Sequence, residues 1–431
     1  MVEKISVIDN ILREGQKIAD DVEVFFAKAS GVGVELKGSQ IGEASGSDSC
    51  GIGIRVIKDG KIGCSSTNDP LKWKMCLDSA VSGAKLATPQ EWGGLPLPSE
   101  IEKRDLHTFD TSLKVDISVT TEMINKLKTG ASEYEADIVG GSASVSSGGI
   151  ILANSNGVFY SNEKTRAGVS LETICGTSTG YEFDNSCFQD EIDPVNVGRE
   201  AAYLAVHSKD GDEIDTGKYD VILSPVAVCQ LLGSVVFPSF SGKSVKAKRS
   251  FLADKLGECC MDESLSIYDD PFNGMGAALR DSEGVPTRKI DFVKEGVVNE
   301  FSYDLKTAYR YGEQSTGSAV RAGSGGAPVI GTHNIYVDGK RENIYDEKAV
   351  YAHTVVGAHT ANGITGDFSV ELSNASWMQD GERGRPIRSA MLSGNIFEML
   401  KDIQGMSPES RKLGSIIVPA MRFGSLSVVG K

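Results

Sequence analysis

Residues 51–65 read GIGIRVIKDGKIGCS, and this stretch decides the fold class of the N-terminal half. Two strand-like runs, residues 51–57 and 61–65, are joined by Asp59-Gly60. Asp-Gly supplies the positive φ angles of a type I′ turn, so the pattern predicts a β-hairpin. Antiparallel strands joined by short turns are therefore expected in this half of the chain.

Helical periodicity alternates with further strand patterns around the hairpin. Apolar residues at helical spacing predict helices over residues 8–19, 71–87, 115–134 and 193–207. Strands are expected at 22–27, at 150–153 and 157–160 around Asn156-Gly157, and near 167–175. Residues 90–98 break both periodicities and read as a linker.

The second half of the chain differs in pattern from the first. Residues 209–217 form an acidic, glycine-bearing connector, and a strand over residues 219–223 leads to a helix opened by Ser224-Pro225. Short strands follow, with helices near residues 304–311 and 394–403. The prediction is α+β: an N-terminal helix-and-antiparallel-sheet region at 1–210, with a further boundary near 90–112, and a strand-rich C-terminal domain at 218–431.

Bulk properties exclude several classes of function. No apolar run reaches the roughly 18 residues of a membrane helix, and the residues after Met1 do not resemble a secretory signal, so a cytoplasmic protein is expected. The eight cysteines contain no C-x-x-C and are expected to be reduced thiols. With a net charge of -15, direct binding to nucleic acid is disfavoured. The short basic cluster is interpreted as a solvated helix face or loop: Lys243, Lys246, Lys248 and Arg249.

The sequence contains no motif that by itself indicates a catalytic, phosphate-binding or metal site. The glycine-rich run at 323–326 is not followed by a Lys-Ser/Thr helix start, so a flexible connector is expected there. His353 and His359 are an even number apart and are expected to share one face of a strand as structural histidines. The Asp269-Asp270-Pro271 corner is interpreted as turn chemistry in preference to a cation site.

From Leu223 onward, a series of strings resembles the TldD/PmbA family, also called the modulator of DNA gyrase family, and most closely its TldE (PmbA) branch. The strings are Leu223-Ser224-Pro225, RSFLADKLG at 249–257, Asp269-Asp270-Pro271, DSEGVPTR at 281–288, Ser315-Thr316-Gly317, TGDFS at 365–369 and SGNIFEML at 393–400. Their order across the C-terminal half carries the resemblance, and the N-terminal half fits more loosely.

The resemblance implies a TldD/TldE peptidase complex in which a TldD-like subunit holds zinc through H-E-x-x-x-H on a helix and a later cysteine. Here the corresponding stretch, residues 233–238, reads GSVVFP, and no cysteine follows Cys260. This chain is therefore expected to hold no cofactor, with zinc in a TldD-like partner. The residues that replace the zinc helix, or line a peptide groove, are Gly233, Ser234, Phe237, Pro238 and Ser241. For Val235, Val236 and Phe237 the favoured alternative is simple packing in the core.

The expected function is that of a non-catalytic, zinc-less TldE/PmbA-like subunit of a cytoplasmic metallopeptidase complex that degrades or processes peptides and unfolded proteins. Its expected partners are a TldD-like subunit and a peptide or unfolded protein substrate, and a homodimer is allowed when the partner is absent. One alternative is an independent hydrolase using Ser315-Thr316, or Cys229 with a distant histidine. Another is a binding protein that regulates DNA gyrase or its inhibitors.

Overall fold

The Asp59-Gly60 turn is formed as predicted in the computed structural model, which describes residues 2–430. Asp59 and Gly60 have φ angles of 51° and 70°, and Lys58 pairs with Lys61 across the turn. Positive φ at both central residues is the type I′ geometry that matches the twist of the flanking strands. Met1 and Lys431 lie outside the described residues. The prediction that the chain does not begin with a secretory signal therefore falls partly on a residue that is not described.

Six antiparallel strands form the N-terminal sheet in the order β3-β2-β1-β4-β5-β6. The strands are β1 Asp21–Lys37, β2 Gln40–Lys58, β3 Lys61–Thr67, β4 Asp137–Asn154, β5 Phe159–Cys175 and β6 Ser178–Ser186. The helices of this half are α1 Val2–Gly15, α2 Trp73–Leu86, α3 Ile117–Ala131 and α4 Pro194–His207. Residues 87–116 contain no helix or strand.

One face of the N-terminal sheet carries all four helices. Val22 and Val24 of β1 lie in a core with α1 and α2, whereas Val34 and Leu36 of the same strand lie in a core with α3 and α4. These positions differ by even numbers, and side chains two apart in a strand share a face. The two helix pairs therefore lie side by side on one face, and the other face is left for the rest of the chain.

Eleven strands form the C-terminal sheet, and part of it closes into a ring. The pairings β7–β14, β14–β15, β15–β17, β17–β19 and β19–β7 return to the strand where they began. The elements of this sheet are β7 Gly217–Leu223, β8 Ser266–Asp269, β9 Ile290–Lys294, β10 Val297–Val298, β13 Ile335–Asp338, β14 Ala349–Val356, β15 Asp367–Gln379, β16 Glu382–Ile387, β17 Met391–Asn395, β18 Ile403–Leu413 and β19 Ile416–Val429. The remaining elements are α5 Pro225–Ser239, α6 Gly242–Lys246, α7 Leu305–Tyr311, α8 Ile396–Met399 and the two-stranded β11 Ala319–Val320 with β12 Val329–Ile330.

The α+β prediction is confirmed: helices and an antiparallel sheet come first, and a strand-rich region follows. Two details were wrong. The strands predicted at 157–160 and 167–175 are one continuous strand, β5, and the helix predicted at 394–403 is reduced to α8 because β17 and β18 occupy its ends. The division at 1–210 and 218–431 stays a prediction. Among residues 2–430, no helix has both the length and the apolar character needed to cross a membrane.

The glycine-rich loop at 323–326 packs on the N-terminal sheet instead of forming a free connector. It joins β11 to β12, which pair with each other, and Ser324 lies over Gly51 and Gly53 of β2. A Cβ atom at Gly53 would lie 2.1 Å from the Ser324 carbonyl oxygen, so the approach requires glycine there. The loop is thus part of the contact between the two halves of the chain.

Candidate functional site

Helix α5 begins at a side-chain cap that also ties it to the neighbouring strand. The Ser224 hydroxyl accepts hydrogen bonds from the backbone N–H groups of Val226 (3.1 Å) and Ala227 (3.2 Å). The same hydroxyl donates to the His353 carbonyl oxygen in β14 at 2.5 Å. Pro225 fills the first helical position, where no backbone donor is needed. The predicted helix start at Ser224-Pro225 is confirmed.

Most of α5 is buried in the C-terminal core. Leu231, Leu232, Val235 and Val236 are almost completely inaccessible, and Phe237 is half-buried against the same core. A helix that is apolar nearly all round belongs in the interior of a protein. Packing in the core, the alternative given above, is confirmed for Val235 and Val236, whereas Phe237 lies at the edge of that core.

The five predicted site residues lie on the less buried side of α5 and just beyond its end. Gly233, Ser234 and Phe237 are half-buried, Pro238 is exposed, and Ser241 is half-buried in the following turn. Spacings of three and four residues place them along one side of the helix. The helix ends at Ser239, directly after Pro238, as expected where a proline removes a helical donor. Their role in a peptide groove stays a prediction.

This side of α5 does not fit a zinc ion. Zinc is held by imidazole, thiolate or carboxylate groups, and glycine, phenylalanine and proline side chains provide none of these. The Ser234 hydroxyl donates to the Gln230 carbonyl oxygen at 2.8 Å. Among the described side chains, those of residues 6–430, no three His, Cys, Asp or Glu groups come together in a way that could hold a metal ion. This side of α5 therefore supports no hydrolytic step through a metal.

The histidines do not form the arrangement predicted from their spacing. His353 is buried in β14, whereas His359 is exposed in a 3-10 helix at Ala358–Thr360. The prediction that the two histidines share one face of a strand was therefore wrong. The chain turns at Gly357, which has a φ of 95° and ends the alternation of the strand. His333 packs against Asp269, whose carboxylate accepts the backbone N–H groups of His333 and Asn334. The turn interpretation of this corner agrees with Asp270 instead, whose carboxylate accepts the backbone N–H of Phe272 at 2.9 Å.

Sequence reasoning missed a buried carboxylate beside the start of α5. Glu182 of β6 accepts hydrogen bonds from Arg411 of β18, and its Oε2 lies 3.4 Å from His353 Nε2. Burial acts to raise the pKa of Glu182, but His353 and Arg411 lower it by more, to about 2. These residues line a cavity of about 560 Å³ with Ser224 and Pro225. The cluster joins the N-terminal sheet to the C-terminal sheet, and the long sequence separation gave no local signal for it.

Family models match this chain in three consecutive segments. They are described as PmbA/TldA metallopeptidase domain 1 (residues 22–84), central domain (110–209) and C-terminal domain (216–430). An uncharacterized protein of Methanocaldococcus jannaschii is 30% identical over 419 residues, covering 96% of this chain and 98% of that protein. The chain belongs to the PmbA/TldD family.

This PmbA/TldD family member is also similar to proteins that have been named. Metalloprotease PmbA of Escherichia coli O157:H7 is 24% identical, covering 94% of this chain and 93% of the relative. The crystal structure of TldE from Thermococcus kodakarensis matches with a TM-score of 0.91 and 25% identity, covering 98% of this chain and 100% of that one. The resemblance stated from the sequence is confirmed.

The family string at 281–288 takes part in a buried ion network in this PmbA/TldD chain. Arg55 of β2 donates to Glu283 Oε1 at 2.5 Å and to Glu23 Oε2 at 2.7 Å. Arg321 pairs with the second oxygen of Glu23 and donates to the Ser282 carbonyl oxygen at 3.0 Å. All four charged side chains are at most 3% exposed. The network fixes the N-terminal sheet to the C-terminal half.

The alternative nucleophiles lack an activating base. Burial raises the pKa of Cys229 to about 11, so its thiol stays protonated at neutral pH. The Ser315 hydroxyl donates to the Tyr303 carbonyl oxygen at 3.2 Å. Thr316 shares a hydrogen bond of 2.7 Å with Ser318, and its hydroxyl accepts the Tyr303 backbone N–H. These partners are backbone groups and hydroxyls instead of histidines, which gives no support to an independent hydrolase.

The basic cluster is exposed, as predicted. Lys243 and Lys246 lie on α6, and Lys246 pairs with Glu313 at 2.6 Å. Lys248 pairs with Asp254 in the following turn. Surface pairs of this kind are solvated and contribute little energy.

Proposed function

We propose that this chain is the non-catalytic, zinc-less TldE/PmbA-like subunit of a cytoplasmic TldD/TldE-type metallopeptidase complex. The complex would degrade or process peptides and unfolded proteins, with zinc held by the TldD-like subunit. Family membership supports the peptidase context, since several relatives carry the name metalloprotease and one similar structure is a TldE.

The observation that carries the proposal is the chemistry of the exposed side of α5. Gly233, Ser234, Phe237 and Pro238 offer no imidazole, thiolate or carboxylate, so this helix cannot polarise water through zinc. The capped start of the helix and its buried Val235 and Val236 nevertheless keep it rigid. A rigid helix without ligands suits a non-catalytic side of the peptide groove better than a catalytic centre.

The half-buried surface of α5 is assigned to the peptide groove or to the side that faces the partner's zinc. Phe237 supplies an apolar side chain there, and Ser234 and Ser241 supply hydroxyls. A mixture of apolar surface and a few polar groups is typical of sites that hold a peptide without reacting with it.

Reconstitution tests this assignment. The chain and a TldD-like subunit encoded in the same genome are purified separately, and zinc content and cleavage of an unfolded protein such as reduced casein are measured for each alone and for the mixture. Zinc is expected in the TldD-like subunit alone and in the mixture. Cleavage is expected only in the mixture.

A variant of α5 tests whether this helix takes part in catalysis. Ser234→Ala in this chain should leave the turnover number of the mixture within about twofold, because this hydroxyl takes no part in bond cleavage. Cleavage by the isolated chain that survives a chelator would contradict the proposal and favour an independent hydrolase. Binding of the isolated chain to purified gyrase, with no effect on cleavage by a TldD-like subunit, would instead favour the regulatory alternative.

A further inference from the structure

The cavity of about 560 Å³ at the start of α5 lies between the two halves of the chain. Its walls come from β6 and α4 of the N-terminal half and from β14, β16, β18 and the first residues of α5 in the C-terminal half. The positions assigned to the peptide groove, between residues 233 and 241, lie toward the other end of α5, and none of them lines this cavity. The volume is within the range of sites that hold small molecules.

One buried side chain in the cavity wall makes no hydrogen bond. His353 is 5% exposed, and neither of its ring nitrogens has a hydrogen-bond partner in the described part of the chain. The Glu182 carboxylate approaches Nε2 to 3.4 Å without hydrogen-bond geometry, and it is bound by Arg411 at 2.5 Å. Buried polar groups are almost always paired with protein, water or a ligand. The histidine therefore indicates that polar groups from outside the chain occupy the cavity.

Arg383 of β16 brings an unpaired positive charge to the same cavity. Its guanidinium lies over the Tyr351 ring, 4.5 Å from the centroid, and donates to the Tyr351 hydroxyl at 3.0 Å. No carboxylate among the described side chains lies within ion-pair distance of it, whereas Arg385 on the same strand pairs with Asp212 at 2.9 Å. A guanidinium has five N–H donors in a planar fork that matches a carboxylate. Arg383 is thus held in place with most of its donors available.

Glu200 of α4 brings an unpaired negative charge. It is half-buried, and its carboxylate has no hydrogen bond and no cation at ion-pair distance among the described residues. The neighbouring Arg199 pairs with Glu133 instead, at 2.7 Å. Asp193, also in this wall, is occupied as the cap of α4, because it accepts the backbone N–H of Asn196. Glu200 is therefore available to accept hydrogen bonds from a cationic group of a ligand.

The opposite charges of these two groups restrict the kind of ligand that fits. A simple anion would lie among the carboxylates of Glu182 and Glu200, and a simple cation would lie beside Arg383, so either would meet repulsion. A molecule with a carboxylate at one end and an ammonium at the other satisfies both groups. The positive end of the α5 dipole, at Ser224-Pro225 in the same wall, also favours the carboxylate.

We propose that this cavity binds a short peptide in its zwitterionic form, with its carboxylate on Arg383 and its ammonium on Glu200. His353 then bonds to a polar group of the bound peptide. Hydrolysis of an amide bond leaves a carboxylate on one product and an ammonium on the other, so short cleavage products carry both charges. This inference rests on the proposed function for the source of the ligand, whereas the site itself belongs to this chain alone.

Calorimetric titration of the isolated chain tests the charge requirement. The probes are alanyl-alanine, its N-acetyl form without the ammonium, its amide without the carboxylate, and inorganic phosphate. Alanyl-alanine should bind with a dissociation constant below about 1 mM, and each of the other three at least about tenfold more weakly, because each loses a charge-assisted contact or meets a carboxylate.

Two results of the titration would overturn the site. Equal binding of alanyl-alanine and any one of the other probes would show that the cavity does not require both charges. No binding of alanyl-alanine would show that water alone pairs with His353. Either result leaves the subunit assignment standing, since the TldD-like subunit is absent from the titration. A lack of cleavage in the reconstituted mixture would overturn that assignment and leave the site standing.

Two variants locate the bound peptide. Arg383→Met and Glu200→Gln should each bind alanyl-alanine at least about tenfold more weakly. Arg383→Met should bind the amide as the unmodified chain does, which a general loss of structure would not reproduce. Glu200 has no hydrogen bond to lose, so its variant is expected to fold. The control Arg385→Met, at a side chain that is 80% exposed on the same strand, should leave the affinity unchanged. Unchanged affinity in either Arg383→Met or Glu200→Gln would overturn the proposal.

Discussion

Replacing Arg55 by methionine removes the centre of the buried ion network while keeping an unbranched side chain of comparable length. The guanidinium of Arg55 bonds to Glu23 at 2.7 Å and to Glu283 at 2.5 Å, and all three side chains are at most 3% exposed. After the change, Glu23 keeps its partner Arg321, and Glu283 keeps only a backbone donor, the N–H of Leu305 at 2.7 Å. The variant therefore leaves one carboxylate buried without a counterion.

The expected loss of unfolding free energy is about 3–5 kcal/mol, the range for removing one member of a buried ion pair. Burial raises the pKa of Glu283, and Arg55 acts to lower it. Without Arg55 that pKa rises further. A carboxylic acid with a raised pKa in the folded state is stabilising below its unfolded pKa, and this contribution is lost as pH increases through the folded value. The deficit of Arg55→Met should therefore be largest at alkaline pH and shrink as the pH is lowered.

Guanidinium chloride unfolding at two pH values measures this loss. Tryptophan fluorescence is a suitable probe because the Trp92 ring lies 5.6 Å from the Arg55 guanidinium. The variants are compared by the denaturant concentration at the unfolding midpoint, provided that the dependence of the unfolding free energy on denaturant is the same. This condition is needed because more than one cooperative unit can unfold in a chain of this size. The control Arg13→Met changes an arginine whose side chain is 68% exposed, and it should lose less than about 0.5 kcal/mol. A loss below about 1 kcal/mol for Arg55→Met would refute the conclusion that this network fixes the N-terminal sheet to the C-terminal half.

Two further outcomes are expected. Because the pKa of Glu182 is lowered to about 2 in the fold, from 4.5, Glu182→Gln should lose on the order of 3 kcal/mol at neutral pH. This stabilisation is complete above the unfolded pKa and disappears as the pH falls toward 2, so melting temperatures of the two proteins should converge in acid; a constant difference would argue against the ion pair with Arg411. Gly53→Ala places a Cβ atom 2.1 Å from the Ser324 carbonyl oxygen and should lose about 1–3 kcal/mol by calorimetry. Gly46→Ala on the same strand, whose nearest contact is 3.9 Å, is the control, and equal losses for the two would contradict the packing of the loop.

The sequence predicted those elements whose pattern is local. The Asp59-Gly60 turn and the Ser224-Pro225 helix start each depend on a few neighbouring residues, and both are formed as expected. The long strands β2 and β4 were only partly predicted, because their serine and glycine runs carry no apolar alternation. Without that alternation, the sequence of a strand that pairs with β1 cannot be distinguished from that of a loop.

The contacts between the two halves could not be predicted because they join residues far apart in sequence. Arg55 meets Glu283, and Glu182 meets Arg411, across 228 and 229 positions respectively. Each carboxylate by itself resembles an ordinary surface residue, and only the fold shows that it is buried beside a guanidinium. The predicted zinc-helix positions could be located because Ser224-Pro225 fixes where α5 begins, and their chemistry follows from the residue types alone.

The most direct test of the central claim is the metal content of this chain when it is purified alone. The protein is purified without chelators, dialysed against zinc at near-neutral pH and measured by inductively coupled plasma mass spectrometry, with a TldD-like subunit treated in parallel. The account predicts no stoichiometric zinc in this chain and a bound ion in the TldD-like subunit. One tightly bound zinc per molecule of this chain, held by its own side chains, would contradict the account.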